Sequence, residues 1–262
     1  MMNTDYKNWV PKGLIAGLFA GATLSLVIYL FVSKIPSGNL WGHILKIIVF
    51  AAVIVLYVIG LWMLILHRRF SYSGKRQLSR QIIDGIAKYV NIPDGGIGLD
   101  IGCGSGALAI ACAKRNPKAR VVGLDRWGKE YASFSKTLCE NNAKAEKAEN
   151  VTFEIGDALK LRYKDESFDA VFSNYVYHNI PSKNRQVILL ETLRVLKKGG
   201  IFVIHDIFSR AKYGDIKEFA ERLKKMGYEE VRLVETTDGT FMSKTEAIFM
   251  GLSGSALLVG RK

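Results

Sequence analysis

Residues Leu99–Ile110 read LDIGCGSGALAI, and this stretch decides the fold. Leu99 and Ile101 flank Asp100 at the end of a short apolar run, which is a strand signal. Glycines then fall at 102, 104 and 106, and Ala107 opens a helix-like run. A strand, a glycine loop and a helix in that order form the ligand-gripping corner of an open parallel sheet. Glycines there admit positive φ and a close ligand, and the helix start supplies free N–H groups. Taken alone, the loop leaves its ligand open. Gly102–Ala107 also satisfies the dinucleotide pattern G-x-G-x-x-A, with Asp125 at the spacing of a ribose-binding acid.

Outward from this loop, apolar runs alternate with helical ones. Strands are expected at 97–101, 120–124, 151–155, 168–172, 201–207, 230–235 and 256–260, and helices near 107–115, 129–143, 183–196 and 216–226. The pattern predicts an α/β fold of seven mostly parallel strands covered by helices on both faces. Residues 236–254 fit it least, as a flap over a pocket or a long connection. Within them AIFMGL (247–252) is an apolar lip or part of the core.

Three acidic residues narrow the ligand. Asp100 would repel a pyrophosphate and suits an ammonium or sulfonium. Asp125, ending the second strand, can accept from two ribose hydroxyls, and Asp157, after the third, can read an adenine amino group. Together with FDAVFSNYVYHNI (168–180) and LRVLKKGGIFVIHD (193–206), these motifs resemble the class I S-adenosylmethionine-dependent methyltransferases of the ubiquinone and menaquinone biosynthesis type. The resemblance covers about Gln77–Lys262 and implies a Rossmann-like domain at 97–262. It implies that Gly102, Cys103, Gly104 and Gly106 line S-adenosylmethionine, later S-adenosylhomocysteine, and that Asp100 orients the loop and the ammonium. It further implies that Asp125 holds the ribose, Arg126 and Trp127 flank the adenine, Asp157 and Ala158 read its edge, and Asn174 reaches the methionine end. KKGG in place of the family's K-P-G-G loosens only the turn before the fifth strand.

The N-terminal part is of another kind. Residues 13–32 and 47–66 carry no charge, and each run is long enough at ~1.5 Å per residue for a ~30 Å hydrocarbon core. They predict a membrane hairpin within residues 1–70, followed by an amphipathic linker helix within 71–96, at Gln77–Ile92. Arg68, Arg69, Lys75, Arg76 and Arg80 follow the second run and Lys7 and Lys12 precede the first, while the connection holds Lys34 and Lys46. That bias places both termini and the catalytic domain in the cytoplasm, with a basic segment beside the bilayer. Gly17 and Gly21 form a small-xxx-small pair, a route to a homodimer through the hairpin. Three cysteines without metal spacing predict neither a disulfide framework nor a metal site.

Methyl transfer requires an acceptor held in line, with a base where the acceptor must lose a proton. His178, Tyr175 and His205 are the candidates, at the ends of the fourth and fifth strands. His205 and Asp206 point to opposite faces, so one of them sees the pocket. The absence of N-P-P-[YF] and of a readable RNA-binding module argues against nucleic acid, although the net charge is +13. The reading is a membrane-anchored methyltransferase for a lipophilic acceptor: a quinone precursor, a lipid, or a hydrophobic thiol or phenol. A soluble small-molecule acceptor, a non-catalytic cofactor-binding membrane protein and an NAD-dependent oxidoreductase are the alternatives.

Overall fold

The computed structural model describes residues 3–36, 38–128 and 133–262. Two compact units divide the chain: Asn8–Ser79, and the residues up to Lys7 together with Arg80–Lys262.

The first unit is a helical hairpin of α1 (Lys12–Lys34) and α2 (Leu40–Phe70). Asn39 starts α2 by accepting the Gly42 N–H at 3.0 Å, and Lys46 donates to the Ser33 and Ile35 carbonyls at the end of α1, at 3.1 and 2.7 Å. These contacts start α2 ahead of the expected 47, and the helix also runs past 66 to Phe70, for 31 residues or about 46 Å. The helices pack through small residues. Ala22 is fully buried, a Cβ on Gly60 would lie 3.2 Å from the Phe19 ring, and Gly21 faces Leu56 inside the hairpin, whereas Gly17 is open. Most of the remaining apolar surface is exposed, Phe31 at 70% and Trp41 at 75%. Both helices are long and apolar enough to cross a membrane.

The second unit takes up the chain at Arg80, within α3 (Leu78–Ala87), whose Ile82, Ile83 and Ile86 are buried. It stops before the expected Ile92 because Lys88 and Tyr89 turn the chain toward PDGG. Then come β1 (Ile97–Ile101), α4 (Ala107–Arg115), β2 (Arg120–Asp125), α5 (Lys136–Ala145), β3 (Val151–Ile155) and β4 (Phe168–Asn174). The second half holds α6 (Arg185–Arg194), β5 (Leu196–Ile207), α7 (Arg210–Tyr213), α8 (Ile216–Lys225), β6 (Glu229–Glu235), α9 (Lys244–Met250) and β7 (Ser255–Arg261). Of the helix expected at 129–143, Lys129–Ala132 lie outside the described residues; α5 itself is started by Ser135, which accepts the Leu138 N–H at 3.1 Å.

The sheet order is β3-β2-β1-β4-β5-β7-β6, with β7 antiparallel to both neighbours. Order reverses between β1 and β4, so the connections leaving these two strands diverge and open a crevice at their carboxyl ends. Beneath it Leu99, Ile101, Val171, Phe202 and Ile204 hold the strands to Leu189, Leu193, Phe219 and Leu223 of the helices, all buried. Residues 236–254 are no open flap in this structure: Phe241 and Met242 are buried, and a Cβ on Gly85 would sit 2.3 Å from the Phe241 ring. AIFMGL divides between the two readings, since Ala247, Met250 and Leu252 are buried and Ile248 is exposed.

Candidate active site

The glycine loop has the shape that its spacing implies. Gly102, Gly104 and Gly106 have φ of 72°, 56° and 81°, all left-handed. Gly102 needs its missing side chain twice over, because a Cβ would also stand 2.4 Å from Val176. At Gly104 a Cβ would meet nothing within 4 Å, so the loop is open at that point. The N–H groups of Gly102 and Cys103 both donate to the Leu124 carbonyl, at 2.7 and 3.0 Å, which ties the loop to the end of β2. Cys103 adds its backbone only, since its buried thiol points toward Gly123, where a Cβ would lie 3.1 Å from Sγ.

Two carboxylates frame this opening. Asp100 is buried, accepts the Ala109 N–H of α4, and has no partner at Oδ2. Burial, reinforced by the nearby Asp125 charge, pushes its pKa well above the usual carboxylate range. An unpartnered buried oxygen calls for a donor or cation, and the ammonium of S-adenosylmethionine is such a group. Asp125 accepts the Gly104 N–H through Oδ2 and the Trp127 N–H through Oδ1, each at 2.8 Å, and retains lone pairs for hydroxyl donors. Trp127, at φ 44°, returns its indole N–H to the Gly104 carbonyl at 2.9 Å. Arg126 beside it is exposed. Asp157 and Ala158 are half-buried after β3, and Asp157 Oδ1 accepts the Leu159 N–H at 2.9 Å. Exposed Ile155 and Leu159 flank them, an apolar edge suited to a planar base.

Across the crevice, the chain leaves β4 through Asn174 and a left-handed Tyr175, φ 54°, into a 3-10 turn at Tyr177–Asn179. His178 Nδ1 lies 2.5 Å from Asp206 Oδ1, with 14% of the imidazole side chain exposed and none of Asp206. Asp206 also accepts the Tyr177 and His178 N–H groups through Oδ2, at 2.9 and 3.3 Å, and its own neighbour Ile207 N–H at 2.7 Å. Arg185 Nε and Lys212 Nζ donate to the Tyr177 and His178 carbonyls, each at 3.0 Å, and pin the turn. Tyr175 buries its ring beside His205 and shares a 2.8 Å hydrogen bond with Ser255 Oγ; burial raises its pKa.

His205 is sealed. Its Nδ1 meets Asn174 Oδ1 at 2.8 Å and its Nε2 meets Thr236 Oγ1 at 3.0 Å, and desolvation brings its pKa down to about 3. Of the His205–Asp206 pair, Asp206 is therefore the one that serves the crevice, by orienting His178. The alternation of a strand showed that the two part company but not which side each would take. Asn174 is likewise engaged with His205. Asp206 and Val176 stand in quoted motifs, but the motifs do not show their roles, because their partners His178 and Gly102 lie on other elements. Among the described residues no group of His, Cys, Asp and Glu could hold a metal ion.

A family profile described as a methyltransferase domain matches residues 93–247. The chain belongs to this family, and S-adenosylmethionine is its cofactor. It is similar to 27-O-demethylrifamycin SV methyltransferase of Amycolatopsis mediterranei, 29% identical over 60% of this chain and 56% of that one. It is similar also to demethylmenaquinone methyltransferase of Lactobacillus johnsonii, 35% identical over 43% of this chain and 44% of that one. The ubiquinone/menaquinone biosynthesis C-methyltransferase of Desulfotalea psychrophila is 30% identical over 63% and 60%. The chain thus spans about half the length of the curated relatives it matches. In fold it matches the crystal structure of the (4+2)-cyclase SpnF, at TM-score 0.55 and 20% identity over 72% of this chain and 84% of that one.

Proposed function

We propose that this chain is a membrane-anchored methyltransferase that methylates a lipophilic small molecule at the cytoplasmic face, on a phenol, thiol or enolisable ring that must lose a proton. The observation that carries this reading is the His178–Asp206 pair, on the turn whose Val176 stands against Gly102 of the glycine loop. Asp206 is the acceptor in all its contacts, so it takes the His178 Nδ1–H and leaves Nε2 with a free lone pair. The cofactor supplies a methyl group on a positively charged sulfur. His178 Nε2 would take the acceptor's proton as the acceptor's electron pair displaces sulfur at that carbon, the C–S electron pair leaving with the sulfur as the neutral thioether of S-adenosylhomocysteine. Asp206 would stabilise the resulting imidazolium, and Asp100 and Asp125 would hold the cofactor's ammonium and ribose. Val176, which a Cβ on Gly102 would meet at 2.4 Å, would wall the crevice beside the loop.

Two helices long enough to span a bilayer favour an acceptor that concentrates there, and relatives named for demethylmenaquinone and for ubiquinone/menaquinone biosynthesis support a quinone-type acceptor. The basic residues on either side of the hairpin favour the cytoplasmic orientation. The test is calorimetric titration of the detergent-solubilised chain with S-adenosylhomocysteine, then transfer of labelled methyl into a membrane-lipid extract. Label in one lipid-soluble species supports the proposal. Binding with transfer only into soluble metabolites moves the acceptor out of the membrane, and absence of binding overturns the reading of the site.

A further inference from the structure

The crevice has a support that the motifs do not contain. Asn142 lies on α5, fully buried, and every polar position of its carboxamide is used. Oδ1 accepts the Asp5 N–H at 2.7 Å, while Nδ2 donates to the Asp5 carbonyl and to the Ser105 carbonyl, each at 3.0 Å. One turn earlier on α5, Cys139 Sγ donates to the Gly104 carbonyl at 3.2 Å. Two successive carbonyls of the glycine loop are thus held by one face of α5. In a trans peptide the N–H points opposite to the carbonyl, so fixing the Gly104 carbonyl toward α5 turns the Ser105 N–H away from it. Asp5 belongs to a short segment, residues 3–7, that packs as part of the second unit. Its own carboxylate accepts the Lys7 N–H at 3.2 Å and pairs with the Lys7 ammonium, and half-buried Tyr6 interacts with Glu146 at the end of α5.

We propose that residues 3–7 are a strap that orders the cofactor loop through Asn142, making Asn142 a positioning residue for cofactor binding. Asn142 sees the loop with one hydrogen and the strap with its other two polar positions, so releasing the strap leaves a buried amide with unmet bonds and a loop with a looser support. In chain order the hairpin lies between the strap and the rest of the second unit. The lead-in to the first apolar helix consequently supports the cofactor loop from outside the site, and in chain order the hairpin is an insertion in the catalytic unit. The effect on cofactor affinity rests on the methyltransferase reading; the ordering of the loop does not.

Asp5→Pro deletes the N–H that Asn142 receives, while Asp5→Ala keeps it and loses only the side chain. The full chain in detergent would be compared as wild type, Asp5→Pro, Asp5→Ala and Asn142→Ala, by hydrogen exchange over residues 102–107 and by titration with S-adenosylhomocysteine. Faster loop exchange and affinity about three- to tenfold weaker in Asp5→Pro and Asn142→Ala, with Asp5→Ala near wild type, is the expected result. A purely structural role would lower the melting temperature and leave affinity unchanged, which overturns the proposal, as does equal loop exchange in all four proteins. If wild type binds no S-adenosylhomocysteine while Asp5→Pro still frees the loop, the strap stands and the reading of the cofactor falls.

Discussion

His178 Nδ1 and Asp206 Oδ1 meet at 2.5 Å across 28 residues of sequence, because β4 and β5 run side by side and deliver the 3-10 turn of one onto the last buried position of the other. The contact leaves Nε2 as the basic atom at the crevice. His178→Ala should therefore lower kcat by about 10²- to 10⁴-fold with affinity for S-adenosylhomocysteine within about twofold, as expected for loss of a positioned base. Asp206→Asn should lower kcat as well and loosen the turn, seen as faster exchange of the Tyr177 and His178 amides. Wild-type turnover in His178→Ala would remove it as a base.

Asp125 binds the loop and faces the ribose position. Asp125→Ala should weaken S-adenosylhomocysteine binding by at least about tenfold, since two backbone donors and the ligand hydroxyls all lose their acceptor. Calorimetry checks this directly, and unchanged affinity would count against the assignment.

Neighbouring glycines should fail differently. At Gly102 a methyl group meets Val176 as well as a left-handed φ, so Gly102→Ala should cost about 2–5 kcal/mol of stability, partly restored by Val176→Ala. Gly104→Ala faces open space and should cost only about 1–2 kcal/mol while obstructing the cofactor. Denaturant titration separates the two.

Asp100 makes the stability of the cofactor-free protein depend on pH. Its native pKa is raised, so between the unfolded value near 3.8 and the native one the folded state holds the extra proton. Stability from this group is present below that window and is lost as pH rises through it. Asp100→Asn removes the titration: melting temperatures of variant and wild type should differ more in the variant's favour at pH 7.5 than at pH 4.5, while cofactor affinity falls.

His205 works in the opposite sense. Its native pKa near 3 lies below the unfolded 6.5, so the unfolded chain binds the additional proton in the interval between them. Stability should fall as pH drops below 6.5, by up to about 1.4 kcal/mol per pH unit. His205→Asn should flatten that slope in a thermal scan across pH 4.5–7.

By itself the sequence determined the elements and the cofactor corner. β1, β3 and α4 lie where their apolar periodicity puts them, and the loop conformation follows from three alternating glycines, because φ, ψ and side-chain period are local properties. The limits of α2, α3 and α5 were less legible, being set by Lys46, by a turn at Lys88 and by a Ser135 cap rather than by periodicity. Only the tertiary structure decided that Asp206 serves His178, that His205 is closed between Asn174 and Thr236, and that Asn142 joins Asp5 to Ser105. Each of these joins residues far apart in sequence. Their meeting depends on the order in which strands pair and on which face each side chain enters, and no local pattern of residues encodes that order.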